Sequence, residues 1–539
     1  MTKFIFEYIE KHVRKFVLFL GLSITVLSMG LIAPYLESKA IDKLVYEPSK
    51  NFLFSIVFVI ILLNILSTVL SYIQNLVSVQ LKNKISFEIL NDILRHLKKV
   101  EILNLSNYDS AYLSTRISSD SDTVISFLLS NVIKAGSGLL TIVFCSVWLL
   151  CFYGAEILAI IFGVLPLYIM VYIVLKKPLY LKRLNLLENQ GIFFSVLNRT
   201  LKNIKTIKAK VLFEKSDNEC QNSFSSLLES IVSFNKISYI FSSMNSICTT
   251  ILRILILLVT GLRIIEGTLT IGEFTLISSY CNMIISVVTY YLSLGESYQN
   301  AKVSFLRIKE FYEMKLEDNG EKQLDLVNRI DIKNLCFGYN KQSNVIESFS
   351  YTFHKGKIYA IVGSNGAGKT TLLDLLLGII NTNLSGDIFY EDSNIKELDM
   401  YHIRKKLVAY VAQEPYLSVD TIQNNLTANI KNVNLKTLDM LLEKFELKEK
   451  IESLDEKDKT IINDNIKNLS GGERQKIALI NAILSDSQVL VLDEPTSALD
   501  STTIDSLKSI LLQIKQEKII LLISHDKNFY AIADEQIPL

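Results

Sequence analysis

The sequence predicts a multidomain membrane protein: an all-α domain of six membrane-spanning helices, followed by an α/β domain with a phosphate-binding loop. Three observations predict it. Six apolar blocks, each long enough to cross a bilayer, all lie before about residue 300. The sequence after them mixes charged residues with short strand-like and helix-like segments. A glycine-rich run at 363–371 sits where one such strand gives way to a helix. At 539 residues the chain is too long for one ordinary domain. We divide it at 1–306, a linker at 307–328, and 329–539.

A span needs about 20 mostly apolar residues to cross a hydrocarbon layer of about 30 Å. The blocks at 16–35, 52–73, 128–152, 157–175, 240–262 and 274–294 qualify. Spans three and four are joined by a few residues. The connections between spans two and three and between spans four and five are long, and both are rich in Lys and Arg, among them Lys82, Lys84, Arg95, Lys176, Lys177 and Arg183. With the basic amino terminus (Lys11, Arg14, Lys15), this charge pattern places both termini and both long connections in the cytoplasm. Segments 81–105 and 181–212 carry apolar residues at helical spacing, so the spans are expected to continue outward as helices. Lys134 and Arg253 fall inside spans and are candidates for a central cavity.

Composition excludes more than it assigns. A net charge of +1 gives no reason to expect a nucleic-acid partner. The six cysteines show no metal-binding spacing and are expected to be packing residues. The basic amphipathic start, followed by a long apolar block, is not expected to be a cleavable signal. No peptidase-like segment precedes span one, so the chain is not expected to trim a leader from a cargo.

In the second half, the strand IYAIV leads into Gly363, Ser364, Asn365, Gly366, Ala367, Gly368, Lys369, Thr370 and Thr371, which fit GxxxxGK[ST]. Glycines let backbone N–H groups wrap phosphate oxygens, and the following helix adds its positive end. Lys369 reaches the β- and γ-phosphates, and Thr370 offers its hydroxyl to Mg²⁺. Further on, the apolar strand QVLVL ends in Asp493 and Glu494. Asp493 suits Mg²⁺, and Glu494 is placed to polarise water.

These motifs, with Leu469-Ser470-Gly471-Gly472-Glu473 after them, resemble the ATP-binding cassette (ABC) transporters of the exporter type over essentially the full length. The family signature is LSGGQ, and Glu473 stands in its fifth place. The resemblance implies an ATP-hydrolysing half-transporter with ATP and Mg²⁺ as cofactors. It also implies a dimer with a second copy or a homologous half-transporter, in which each ATP is closed between one phosphate loop and the partner's Ser470, Gly471 and Gly472. It further implies that Tyr339 stacks on adenine and that Gln413 senses Mg²⁺. Thr370, Gln413 and Asp493 then form the metal set, partly through water. Glu494, His525 and Lys369 are catalytic, and residues 497–500 form the loop beside them. The segment Thr460 to Ile466 departs from the family's T-x-x-G-E-x-G. Residues 112–120 resemble G-E-L-x-x-R-I-x-x-D and belong at or beside the first coupling helix; residues 203–209, with Glu214, resemble part of the second. Export of a peptide or amphipathic compound is expected. Lipid flipping, multidrug export, or ATP-dependent sensing without transport are the alternatives.

Overall fold

The structure is a computed structural model. It describes every residue except 1, 47–48, 107, 109, 340–342, 431, 463–468 and 525–526. The chain forms two compact units, described separately. One comprises Met1–Lys98 and Asn107–Met314; the other comprises Lys99–Ser106 and Lys315–Leu539.

The first unit is all helical: α1 (Val13–Tyr46), α2 (Lys50–Leu97), α3 (Ser110–Ser126), α4 (Ile133–Tyr153), α5 (Ala155–Lys202), α6 (Phe213–Ile265) and α7 (Ile271–Glu313). A π-helical stretch, Phe127–Val132, joins α3 to α4, so that Arg116–Tyr153 makes one span. Among the described residues, six helices are long and apolar enough to cross a membrane. At 48 residues for α2 and α5 and 53 for α6, they are more than twice what a bilayer needs. The excess is the charged, helically spaced sequence flanking the spans.

Its core gathers Cys145, Leu149, Ile161, Leu252, Ile277 and Tyr280 from α4 to α7. Many outward residues, such as Phe58, Ile65, Phe152 and Leu258, are exposed, as a lipid-facing surface requires. All six cysteines are free thiols, and Cys145, Cys248 and Cys281 are buried. The start of α7 is fixed twice. Thr270 and Glu273 form a capping box, and Asp42 of α1 accepts from the Gly272 N–H at 2.8 Å and the Thr270 hydroxyl at 2.9 Å. Helix α7 continues to Glu313, into the stretch read as a linker, because Ile308 and Phe311 are fully buried there.

Within the second unit, β1 (Arg329–Phe337), β2 (Ile346–His354), β4 (Leu384–Tyr390) and β5 (Ser393–Asn394) form an antiparallel sheet in the order β2-β1-β4-β5. Strands β3 (Ile358–Val362), β6 (Val408–Val411), β7 (Val489–Asp493), β8 (Ile519–Ile523) and β9 (Glu535–Pro538) form a parallel sheet in the order β6-β7-β8-β3-β9. Side chains alternate across the parallel sheet. Tyr359, Ile361, Val491 and Leu521 pack toward α8 (Lys369–Leu376) and the antiparallel sheet. Ala360, Leu490, Leu492 and Leu522 pack toward α9 (Gly471–Leu484) and α10 (Ser501–Ile514). Covered on both faces, β7 and β8 are apolar at nearly every position.

The segment Lys99–Ser106, between α2 and α3, belongs to this second unit. Val100 bridges to Leu316, the Glu101 N–H donates to the Lys315 carbonyl at 3.1 Å, and Leu103 packs on the core.

Candidate functional site

The parallel register brings the candidate residues to one edge. Val411 pairs with Leu492, Asp493 with Ile523, and Ile361 with Ile523. The carboxyl ends of β6, β7, β8 and β3 are therefore level, and the segments leaving them carry Gln413, Asp493 with Glu494, Ser524, and the glycine-rich loop. This is the edge where open α/β sheets bind ligands.

The loop is shaped by its glycines. Gly366 and Gly368 have φ of +84° and +91°, and a Cβ on Gly368 would come within 2.7 Å of Val345. Gly368 is the N-cap of α8 and offers no side-chain cap, so the first-turn N–H groups face the loop. Lys369 is buried, and its ammonium donates to the carbonyls of Gly363 at 2.9 Å and Ser364 at 3.0 Å. Tyr339 is half exposed; its ring meets Phe337 edge-on and its hydroxyl lies 2.9 Å from that of Thr371.

Three carboxylates crowd this edge. Burial pushes Asp493 above the usual carboxylate range and Glu494 adds to the push, while the Thr370 hydroxyl and the Lys369 ammonium oppose it. Asp374 on α8 is raised to about 6, first by burial and then by Asp493. The Gln413 amide donates to Glu494 Oε2 at 2.8 Å. Glu494 has φ of +49°, a left-handed conformation that a residue with a Cβ adopts at a cost, and its N–H donates to the Ile523 carbonyl at 2.9 Å. Lys369, Thr370, Gln413, Asp493 and Glu494 thus converge.

Among the described residues, no three His, Cys, Asp or Glu side chains form a preformed metal cage. Mg²⁺ takes one or two protein ligands and completes its shell with water and substrate phosphates. The buried Asp493 beside the Thr370 hydroxyl has the chemistry of such a partial set.

Ser470, Gly471 and Gly472 open α9 and form a different kind of turn. The Ser470 hydroxyl accepts from the Glu473 N–H at 3.2 Å, and Glu473 Oε2 accepts from the Ser470 N–H at 2.7 Å. A Cβ on Gly472 would collide with the Ala498 carbonyl. Asp500 caps α10 through the Thr503 N–H at 2.8 Å and pairs with Lys476 of α9 at 2.9 Å. The signature turn is therefore locked to residues 497–500 of its own chain. Sequence reasoning took Glu473 as a departure from the signature and missed its role as the second half of a capping box, although S-x-x-E is that pattern. It also missed Asp374, an unremarkable Asp until burial is known.

His525, and Asn463 to Ile466 of the T-x-x-G-E-x-G-like segment, lie outside the described residues. Arg116 and Asp120 are held within the membrane unit: Arg116 pairs with Glu310, and Asp120 bonds to Ser304 at 2.9 Å and Arg307 at 3.1 Å. The segment that joins the nucleotide unit is Lys99–Ser106, just ahead of them. Arg253 donates to Asn282 of α7 at 3.1 Å, and Lys134 is exposed.

A six-span helical unit, together with a phosphate loop, an acidic strand end and a signature turn in one nucleotide unit, defines an ATP-driven membrane transporter. The chain belongs to the ABC transporter family: residues 16–288 match the ABC transporter transmembrane region, and residues 346–497 match the ABC transporter domain. It is an ATP hydrolase coupled to transmembrane transport, of the exporter type. An ATP-dependent lipid A-core flippase of Haemophilus ducreyi is 25% identical over 93% of this chain and 86% of that protein. The pediocin PA-1 transport/processing ATP-binding protein PedD of Pediococcus acidilactici is 25% identical over 87% of this chain and 65% of that protein. A bacterial Atm1-family ABC exporter with ATP bound has the same fold, with a TM-score of 0.85, 16% identity, and coverage of 98% of this chain and 93% of that one.

Proposed function

We propose that two copies of this chain export a peptide or other amphipathic compound from the cytoplasm, with both termini and the nucleotide units on the cytoplasmic side. The observation that carries the reading is the convergence of Lys369, Thr370, Gln413, Asp493 and Glu494 at one sheet edge, while the bonds of Ser470 stay within its own turn. A complete site then takes the loop of one copy and the signature of the other.

In this reading, the backbone N–H groups of 363–371 hold the ATP phosphates. The Lys369 ammonium exchanges its loop carbonyls for phosphate oxygens as charge develops on them. Thr370 and Asp493 would hold Mg²⁺, with Gln413 contributing through water, and the ion would supply charge that offsets the phosphates. Glu494 orients the attacking water, and Gln413, bonded to it, holds its carboxylate in place. Tyr339 supports adenine. His525 contacts the γ-phosphate, and Ser470, Gly471 and Gly472 of the second copy close over it. The turn 211–213, whose Val211 and Phe213 are exposed, suits contact with that copy. The peptide cargo draws on the bacteriocin exporters among the relatives. The flippase relative favours a lipid cargo as the second reading.

Two measurements test it. Ser364→Cys with Gly471→Cys, in a Glu494→Gln background, should form a covalent dimer with ATP and not without it. Inverted vesicles should accumulate a labelled amphipathic peptide only with hydrolysable ATP. Passive uptake, or ATP turnover without uptake, refutes export.

A further inference from the structure

On the membrane unit, a cavity of about 500 Å³ lies between α5, α6 and α7, and no residue named for nucleotide chemistry lines it. Tyr172, Lys176, Leu179 and Arg183 contribute from α5, at steps of four, three and four residues, so they share one face of that helix. Lys177 adds a third cation. Phe241 comes from α6 and Asn300 from α7.

Its depth follows from the sequence. The apolar block of α5 ends at Leu175, that of α6 begins at Ile240, and that of α7 ends at Leu294. All three helices reach the cavity where their apolar runs stop, which is the headgroup level of a bilayer.

Its described lining is cationic. Among the described residues, no carboxylate pairs with Lys176, Lys177 or Arg183. The Arg183 guanidinium lies over the Phe234 ring, 5.3 Å from its centroid, and its buried Nε has no hydrogen-bond partner. A buried unpaired donor is costly, and an anion supplied from outside would satisfy it. The Tyr172 hydroxyl lies where a Cβ on residue 295 would be, so Gly295 lets that ring stand as a wall of the cavity. The volume is that of a small-ligand site.

We propose that this cavity binds the phosphate headgroup of an anionic lipid. Arg183 and the two lysines hold the phosphate, and the glycerol and first acyl carbons lie along Tyr172, Leu179 and Phe241. The lipid class follows from depth: a soluble anion has no use for an apolar wall at the membrane boundary. The inference rests on the chain's being embedded in a membrane and not on the cargo, so it stands or falls apart from the export reading.

The test uses the full chain, purified in detergent and mixed with vesicles of equal phosphatidylglycerol and phosphatidylcholine, with retained lipid counted by native mass spectrometry. Phosphatidylglycerol should be retained over phosphatidylcholine. Each of Lys176→Gln, Lys177→Gln and Arg183→Gln should lower its retention about fivefold, the weight of one cation near an anionic surface. Gly295→Ala should lower it without changing charge. Lys205→Gln with Lys208→Gln, basic residues outside the cavity, should leave it unchanged. Phosphatidylglycerol should also raise the melting temperature of the native chain and not of Arg183→Gln, which separates lost binding from lost folding. Equal retention of both lipids, full retention by the cavity variants, displacement by millimolar glycerol 1-phosphate, or a bound peptide in place of lipid would each overturn the proposal.

Discussion

Two glycine turns in the nucleotide unit open helices, and each faces a phosphate in the proposed dimer, yet they are built in opposite ways. The loop before α8 uses left-handed glycines, and its helix start has no side-chain cap. The turn before α9 is closed by its own Ser470–Glu473 box and pinned against Ala498. The first is a cradle whose N–H groups are left for a ligand. The second is a preformed lid that satisfies itself. In the proposed dimer the difference implies a division of labour: binding and chemistry reside in the cradle, and assembly depends on the lid's shape.

The largest effects should fall on the cradle side. Lys369→Ala and Glu494→Gln should each lower ATP hydrolysis about 10²–10³-fold, the scale of losing a charge stabiliser or a general base. They should separate on binding, with Glu494→Gln still holding ATP and Lys369→Ala holding little. Near-normal turnover in Glu494→Gln would falsify its assignment as the base.

On the lid side, shape should dominate. Gly472→Ala forces a methyl onto the Ala498 carbonyl and should cost about 1–3 kcal/mol of stability, as overpacking does. Gly471→Ala meets nothing within 4 Å in its own chain, so its melting temperature should be unchanged while its ATPase falls. If both lose stability equally, residue 471 faces its own chain and not a partner's nucleotide.

The acidic floor of the cradle gives a pH test. The Asp374 carboxyl sits at about 6 when folded, above its ordinary 3.8, so the folded state takes up protons between those values. Its favourable term is full below 3.8 and is lost as pH rises through 6. Asp374→Asn should therefore melt higher than the native chain at pH 7.5, by about 1–2 kcal/mol of stability, and the gap should close toward pH 4. A gap independent of pH would mean that this carboxyl carries no penalty.

The smallest effect concerns the lid's charge. Glu473→Gln preserves an acceptor for the Ser470 N–H and removes a negative charge from a helix start that is to meet phosphate. The KM for ATP should fall a few-fold at most, since a charge at a helix end is worth about 0.3–1 kcal/mol. A rise in KM would show that the carboxylate is needed to hold the turn.

Much of the nucleotide unit could be read from residue types, because its chemistry constrains spacing. Glycines with Lys369, and an apolar strand ending in Asp493 and Glu494, are local patterns that the parallel register then gathers. What could not be read depends on neighbours distant in sequence: the burial of Asp374, the Gln413–Glu494 bond, and the packing of Gly472 on Ala498. In the membrane unit, span number followed from the apolar runs, and the extra helix length from the charged, helically spaced sequence beside them. The contacts did not follow from them. The pattern at 112–120 put Arg116 and Asp120 at or beside a coupling helix, but it gave no sign of their partners on α7, nearly two hundred positions away.

The excursion of Lys99–Ser106 into the nucleotide unit has a practical consequence. A soluble cassette cloned from residue 315 onward would be a torso without one rib: Leu316 and Lys315 would lose their bridge and backbone partner, and the apolar patch under Leu103 would open to water. Supplying residues 99–106 as a separate peptide, or grafting them ahead of residue 315, should restore what the truncation removes.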